Sequence, residues 1–259
     1  MPSDTNFSLT DFCVIIPTYN NAGTILKVID DVQNYLKNII VVNDGSNDET
    51  ARLLADINSV TIINYEKNRG KGVALKKGFL KALEMGFRYA LTIDSDGQHF
   101  ASDIPAFLSV INDNPDILIV GSRFLEQENM PSKNSFANRF SNFWFQLQTS
   151  LKLPDTQSGF RLYPLNKIKN IHLFSNRYET ELELLVKCAW HSIPIKSIPI
   201  AVYYPPEDQR ISHFRPGIDF FRISVLNSIL TILALIYYYP KLFFIWAFRL
   251  RRGSFPFNR

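Results

Sequence analysis

Cysteine is scarce: Cys13 and Cys188 are the only two in 259 residues, and they lie far apart. This excludes a disulfide framework and a CxxC zinc site, and it fits a reducing compartment. Histidine is scarce too, with four in the chain, and His99 and His213 read as structural rather than metal-ligating. Of the 11 glycines, none completes a GxGxxG. Gly70 and Gly72 have the first spacing, but Leu75 stands where the third glycine belongs, which excludes a dinucleotide site or P-loop. The first twelve residues lack a basic stretch followed by an apolar one, so no secretory signal is expected. There is no internal repeat and no low-complexity tract. Nor is there a general excess of positive charge. Of 28 basic and 24 acidic side chains, residues 207–259 hold 8 and 3, so the +4 net charge belongs to the tail and a nucleic-acid coat is not expected.

What the chain has is apolar content, 46% against 20% charged residues, the balance of a packed protein. Short apolar runs at 12–17, 39–42, 60–64, 89–93 and 117–120 are rich in β-branched or aromatic residues, and most end in a turn signal. Helix-like stretches near 22–36, 48–57, 71–86 and 103–113 separate them. The alternation predicts an α/β fold, a mostly parallel central sheet flanked by helices. Ligands in such a sheet sit beyond the carboxyl ends of the strands. Polar clusters stand there: TYNN at 18–21, NDGSND at 43–48 and DSDGQH at 94–99.

Later segments are less regular. Residues 126–141 predict a polar loop leading into a helix, and 154–161 a polar turn. Residues 178–189 predict a helix with Glu179, Glu181 and Glu183 near its start, where the helix dipole favours carboxylates. Residues 193–204 contain Pro194 and Pro199 and predict an edge strand. Beyond residue 222 the chain is apolar enough for a membrane, with only Lys241 charged through 223–248. Asp219, Arg222, Asn227 and Thr231 form a polar stripe on its first turns, and Pro240 predicts a break or kink. With Arg249, Arg251 and Arg252 following, this reads as a membrane-embedded or interfacial helix pair with a basic cytoplasmic edge. A core helix or an oligomer contact is the plainer alternative.

The chemistry concentrates in Asp94-Ser95-Asp96-Gly97-Gln98-His99. Residues two apart on a strand share a face, so Asp94 and Asp96 can approach one cation, with Gln98 adding a neutral oxygen. Oxygen ligands suit Mg²⁺ or Mn²⁺, which commonly bridge a substrate diphosphate. An ordinary acidic turn is the alternative for this motif alone. Taken in order with VIIPTYN at 14–20, VVNDGS at 41–46, NRGK at 68–71, GSRF at 121–124 and DTQSGFR at 155–161, it resembles glycosyltransferase family 2. The nearer likeness, over about residues 12–205, is to the polyprenol- and dolichol-phosphate sugar (mannose) synthases.

The resemblance implies a GT-A fold in residues 1–206, with residues 207–259 a membrane-associating extension. It implies an inverting, metal-dependent transfer from a GDP- or UDP-sugar to a polyprenyl-phosphate-type lipid at the cytoplasmic face of the membrane. A saccharide hydroxyl acceptor on the same fold is the alternative. Pro17, Tyr19, Asn20 and Asp44 match nucleotide-binding positions, and Asp94, Asp96 and Gln98 the metal and diphosphate site. Arg69 and Lys71 stand at a turn that opens a helix, a natural anion site. Arg123 and Arg139 match arginines that face an acceptor phosphate, a contact suited to a bidentate guanidinium. Ser158 and Arg161 belong to the same group, and Asp155 would orient the acceptor or act as a base, or is an ordinary loop carboxylate. Arg210 and His213 would clamp phosphates from a loop, although His213 replaces the family's usual lysine. Asn21 and Asn43 replace the usual glutamate and aspartate, which removes negative charge near the nucleotide.

Overall fold

The computed structural model describes residues 7–123, 132–204 and 215–251. Seven strands form one sheet: β1 (Phe12–Thr18), β2 (Ile39–Asn43), β3 (Thr61–Asn64), β4 (Tyr89–Thr92), β5 (Leu118–Arg123), β6 (Arg161–Pro164) and β7 (Ile195–Ile200). Their order is β3-β2-β1-β4-β6-β5-β7. All pairings are parallel except those of β6, which runs antiparallel to both β4 and β5. The predicted strands are all present, and β7 lies at the edge, as its prolines require.

β6 is the strand that sequence reading missed. It has four residues, opens on a buried arginine and closes on a proline, so it shows no strand pattern. Its direction matters for the site. Because β6 is antiparallel, its amino end lies on the rim formed by the carboxyl ends of β1, β2, β4 and β5. The 155–160 segment is thereby carried to that rim.

Helices cover both faces. On one side α1 (Ile25–Gln33), α2 (Thr50–Ala55) and α4 (Ile104–Asp113) bury Val28, Leu54 and Phe107 against Val14, Ile16 and Val41. On the other, α3 (Lys71–Glu84), α5 (Ser132–Thr149), the short α6 (Leu165–Ile168) and α7 (Glu179–Trp190) meet Cys13, Ile15, Ile40 and Val120. Adjacent residues of β1 thus serve opposite layers, and its seven positions are all buried. Both cysteines are buried and free, and burial pushes each thiol up to about 12.

The C-terminal segment corrects one expectation. Pro240 does not divide it into a helix pair. α8 (Pro216–Leu233) passes through a wide turn at Ala234–Tyr238 into α9 (Tyr239–Arg251). The Tyr239 N–H reaches back five residues to the Ala234 carbonyl. A π turn just before a proline changes the carbonyl register that its ring would otherwise strike, so the helix continues.

The polar stripe of this helix faces inward. Gln148 of α5 donates from Nε2 to the Asn227 carbonyl (3.2 Å), Asn227 Oδ1 (3.1 Å) and Thr231 Oγ1 (3.3 Å). Leu226, Leu230, Ala234 and Tyr238 join the same core as Phe145 and Trp190. The outward face is apolar: Phe221, Leu235, Ile236, Phe243 and Phe244 are each at least 60% exposed. The inner face thus carries polar and apolar groups together, while the outer face is mainly apolar.

Candidate active site

The rim surrounds a cleft of about 670 Å³. It is lined by Pro17 and Thr18 at the end of β1 and Tyr19 and Asn21 after it, by Asp44 after β2, and by Asp94, Ser95, Asp96 and Gln98 after β4. Asn68, Gly70 and Lys71 line it from the start of α3, Arg177 and Tyr178 from the start of α7, and Arg215 and Asp219 from the start of α8. Seven of the residues singled out from sequence meet here: Pro17, Tyr19, Asp44, Lys71, Asp94, Asp96 and Gln98.

Asp44 is only 3% exposed, and both carboxylate oxygens are engaged. Oδ1 accepts from the Arg69 N–H (2.8 Å) and Oδ2 from the Gly70 N–H (2.7 Å). Burial raises its pKa against those hydrogen bonds. The carboxylate therefore pins the turn before α3 and borders the cleft at the same time. Lys71, the next residue, bridges Asp94 Oδ1 (2.6 Å) and Glu181 Oε2 (2.8 Å). Gly159 makes room for that bridge, because a Cβ there would stand 2.6 Å from Asp94 Oδ2 and 2.9 Å from Lys71 Nζ.

The two rim aspartates titrate oppositely. Burial pushes Asp94 up, but the Lys71 ammonium outweighs it and holds the carboxyl below its ordinary value. Asp96 is raised to about 6 by burial first and by the Asp94 charge second. Its Oδ1 accepts from the Gln98 N–H (3.0 Å), which shapes the turn around Gly97. Among the described residues no group of three His, Cys, Asp or Glu side chains makes a complete metal site. The rim offers a partial shell of hard oxygens whose negative charge is not fully compensated. That is what a Mg²⁺- or Mn²⁺-diphosphate needs, since such an ion keeps several ligands from substrate and water. The residues present therefore fit the ion. His99, close by, is held down to about 4 by burial, so it stays neutral and is no cation at neutral pH.

Other expected residues act elsewhere. Asn20 holds the neighbouring loop: its Oδ1 accepts from the Asn47 N–H (2.9 Å) and its N–H donates to Ser46 Oγ (2.9 Å). The Arg69 guanidinium is exposed and stacks on Tyr65 at 5.1 Å. Asn43 bonds Asn64 and the Ser46 N–H, so only Asn21 of the two substituted positions borders the cleft. Arg139 is exposed on α5 and does not line the cleft. Arg210 and His213 lie outside the described residues.

Three residues of the 155–161 segment are buried and engaged with protein. Asp155 is fully buried. Oδ2 accepts from Arg123 Nε (2.6 Å) and the Arg123 N–H (3.2 Å). Oδ1 accepts from Arg123 Nη2 (3.0 Å), Asn138 Nδ2 (2.6 Å) and the Gln157 N–H (2.9 Å). Burial raises its pKa, yet Arg123 and these donors hold it below the ordinary value. With every oxygen occupied, Asp155 is placed as the anchor of Arg123 rather than as a base. Arg161 is likewise fully buried, and donates to the carbonyls of Ser158 (2.7 Å), Glu181 (2.7 Å) and Thr156 (2.8 Å). It ties the loop to α7 and touches no cleft surface. Ser158 Oγ accepts from the Phe160 N–H (3.3 Å) at 1% exposure.

Sequence reading missed Arg177, Tyr178, Glu181, Arg215 and Asp219 as site residues. Arg177 donates to Asn68 Oδ1 (3.3 Å). The only sequence signal for the group was the clustering of carboxylates at the start of α7.

The order and placement of these rim motifs agree with the family match, in which residues 13–171 fit the sequence model of glycosyl transferase family 2. The chain belongs to glycosyl transferase family 2. This glycosyltransferase is 33% identical over 214 residues to the UDP-N-acetylglucosamine–dolichyl-phosphate N-acetylglucosaminyltransferase of Methanococcus voltae, an alignment covering 74% of this chain and 85% of the relative. It is 27% identical over 221 residues to the dolichyl-phosphate beta-glucosyltransferase of Saccharomyces cerevisiae, covering 73% and 65%. Its GT-A fold matches glucosyl-3-phosphoglycerate synthase of Mycobacterium tuberculosis, solved with Mn²⁺, UDP-glucose and phosphoglyceric acid. The TM-score is 0.63 at 17% identity, over 88% of this chain and 84% of that one.

Two outcomes follow from the site. Asp155→Asn breaks a buried ion pair and should cost about 3–5 kcal/mol in urea denaturation, whereas a dispensable base would leave stability unchanged. Asp96, with a native pKa near 6 against about 3.9 unfolded, contributes stability that is full below the lower value and lost as pH rises through the higher. A bound cation requires the ionised form, so Mn²⁺ should raise Tm more at pH 7 than at pH 5, and Asp96→Asn should abolish that difference.

Proposed function

We propose that this glycosyltransferase moves a sugar, with inversion, from a nucleoside-diphosphate sugar to a polyprenyl-phosphate-type lipid at the cytoplasmic face of a membrane. One observation carries the reading. Arg215 and Asp219, on the first turns of the helix with the apolar outer face, form a wall of the nucleotide cleft. An acceptor whose tail lies in lipid and whose head is a phosphate is brought to that wall. The named relatives act on dolichyl phosphate, and the first of them takes UDP-N-acetylglucosamine, which favours a UDP-sugar here over a GDP-sugar.

In this reading Tyr19 stacks on the base and Asp44 borders the nucleoside. Lys71 lies where the diphosphate arrives. A divalent cation held by Asp94, Asp96 and Gln98 would offset the charge gathering on the departing diphosphate. The acceptor oxygen attacks the anomeric carbon from the face opposite the donor bond. The bond from that carbon to the diphosphate oxygen breaks, and the nucleoside diphosphate leaves with the electron pair. A phosphate oxygen is already anionic and needs no base. The engagement of Asp155 with Arg123 therefore supports a phosphate acceptor over a saccharide hydroxyl.

We also propose that residues 1–206 are the catalytic unit and that the C-terminal helix lies in the membrane interface without crossing it. From Asp219, which is buried, to Lys241 the helix lies against the rest of the protein. Tyr239 Oη donates to the Leu147 carbonyl (2.6 Å), and Lys241 Nζ to the Trp190 carbonyl (3.3 Å). That stretch is about 33 Å long at 1.5 Å per residue. Between Lys241 and Arg249 stand seven residues, 242–248, about a third of what a span needs. An apolar face on one side and protein on the other suit a helix lying in the plane of the interface, and Phe143 and Leu147 of α5 add exposed apolar surface.

Purified enzyme given Mn²⁺, radiolabelled UDP-N-acetylglucosamine or UDP-glucose, and polyprenyl phosphate should yield label in the organic extract. Asp96→Ala should cut this about 1000-fold with Tm retained; label appearing only with saccharide acceptors would reject the lipid-phosphate reading. Alkaline carbonate should release the protein from membranes, and Phe243→Glu with Phe244→Glu should lower its partition onto vesicles about tenfold or more. Retention through carbonate would instead mark a spanning helix.

A further inference from the structure

We infer that Glu181 is a positioning residue of the donor site, which holds Lys71 so that Asp94 can exchange its ammonium partner for a cation. The inference rests on the metal-diphosphate reading above.

Lys71 is held, half-buried, between two carboxylates from different elements, with Asp94 at 2.6 Å and Glu181 at 2.8 Å. Its side chain is 16% exposed and that of Glu181 9%. The fold builds this approach. At Gly72 a Cβ would lie 1.9 Å from Thr180 Oγ1, so the first turns of α3 and α7 touch only because that side chain is missing. Arg161 donates to the Glu181 carbonyl (2.7 Å) and fixes the turn that carries the carboxylate.

Asp94 has conflicting tasks in such an arrangement. A carboxylate already neutralised by an ammonium is a poor ligand for a second cation. A half-buried ammonium, in turn, is costly to leave without a partner. Lys71 carries three N–H donors, and the structure supplies a spare acceptor. Glu181 Oε1 is buried and has no hydrogen-bond partner among the described residues. When Asp94 turns to a cation, both Glu181 oxygens are available to Lys71, which stays charged and seated beside the incoming diphosphate. Without Glu181 the cation would have to displace Lys71 from its only carboxylate.

The test is Mn²⁺ binding to the full chain, by calorimetry, with no sugar transfer involved. Each variant is first checked by Tm for folding. Glu181→Gln should weaken Mn²⁺ about tenfold, in the range for residues that support metal ligands. Glu181→Asp keeps the charge but is too short to hold Lys71, and should weaken Mn²⁺ comparably. With Lys71→Met in place, Glu181→Gln should change affinity less than about twofold, because the competitor is gone. If Glu181→Gln weakens Mn²⁺ equally with and without Lys71, or if Glu181→Asp binds as tightly as wild type, the inference is overturned while the metal reading stands. If wild type binds no Mn²⁺, alone or with UDP, both fall together.

Discussion

A carboxylate removed from water has to be given donors, and at the rim of this sheet several are removed at once. Asp44 takes two backbone N–H groups, Asp94 takes Lys71, and Asp155 takes both sides of an arginine fork. Each pairing joins segments that are distant in the chain: the β2 turn to the start of α3, β4 to α3 and α7, β5 to the loop before β6. The cleft keeps its shape because breaking any one pairing leaves a buried charge alone. Asp96 is the exception. It has a backbone donor but no ion-pair partner among the described residues, and burial and the neighbouring Asp94 charge raise its pKa. In the proposed reading a divalent cation supplies that positive partner.

The C-terminal helix follows the opposite logic. Two of its polar side chains, Asn227 and Thr231, are directed into the protein, where both meet Gln148. Many of its apolar side chains are left outside, among them Phe221, Leu235, Ile236, Phe243 and Phe244. The same helix contributes Arg215 and Asp219 to the cleft. Apolar surface and reaction site thus share one rigid element, which suits a reaction with one water-borne and one lipid-borne substrate.

Much of this was legible in the chain itself. The five apolar runs became strands because parallel, doubly covered strands need unbroken β-branched residues. Clusters such as DSDGQH fell at the rim because parallel topology sends every carboxyl end the same way. β6 was not legible, because a four-residue strand with a buried arginine and a proline carries no periodic signal. The inward turn of the polar stripe was not legible either, since a stripe at helical spacing does not say what it will face. Pro240 announced a break, and one wide turn removed the need for it.

The amino-acid sequence by itself determined the layer order, the rim on which the chemistry lies, and the family to which the chain belongs. These follow from local pattern and from motifs whose spacing is covalent. Only the tertiary structure decided which polar residues reach the cleft and which support it. Asn20 shares a motif with cleft residues, yet it bonds to the neighbouring loop, and Asp155, Ser158 and Arg161 bond to Arg123, to their own loop and to α7. Glu181 has no motif, yet it sits on Lys71. The reason is that a side chain's role depends on which donors and acceptors its burial brings within hydrogen-bond reach. That distance is set by helix and strand packing across a hundred residues, and no local run of sequence contains it.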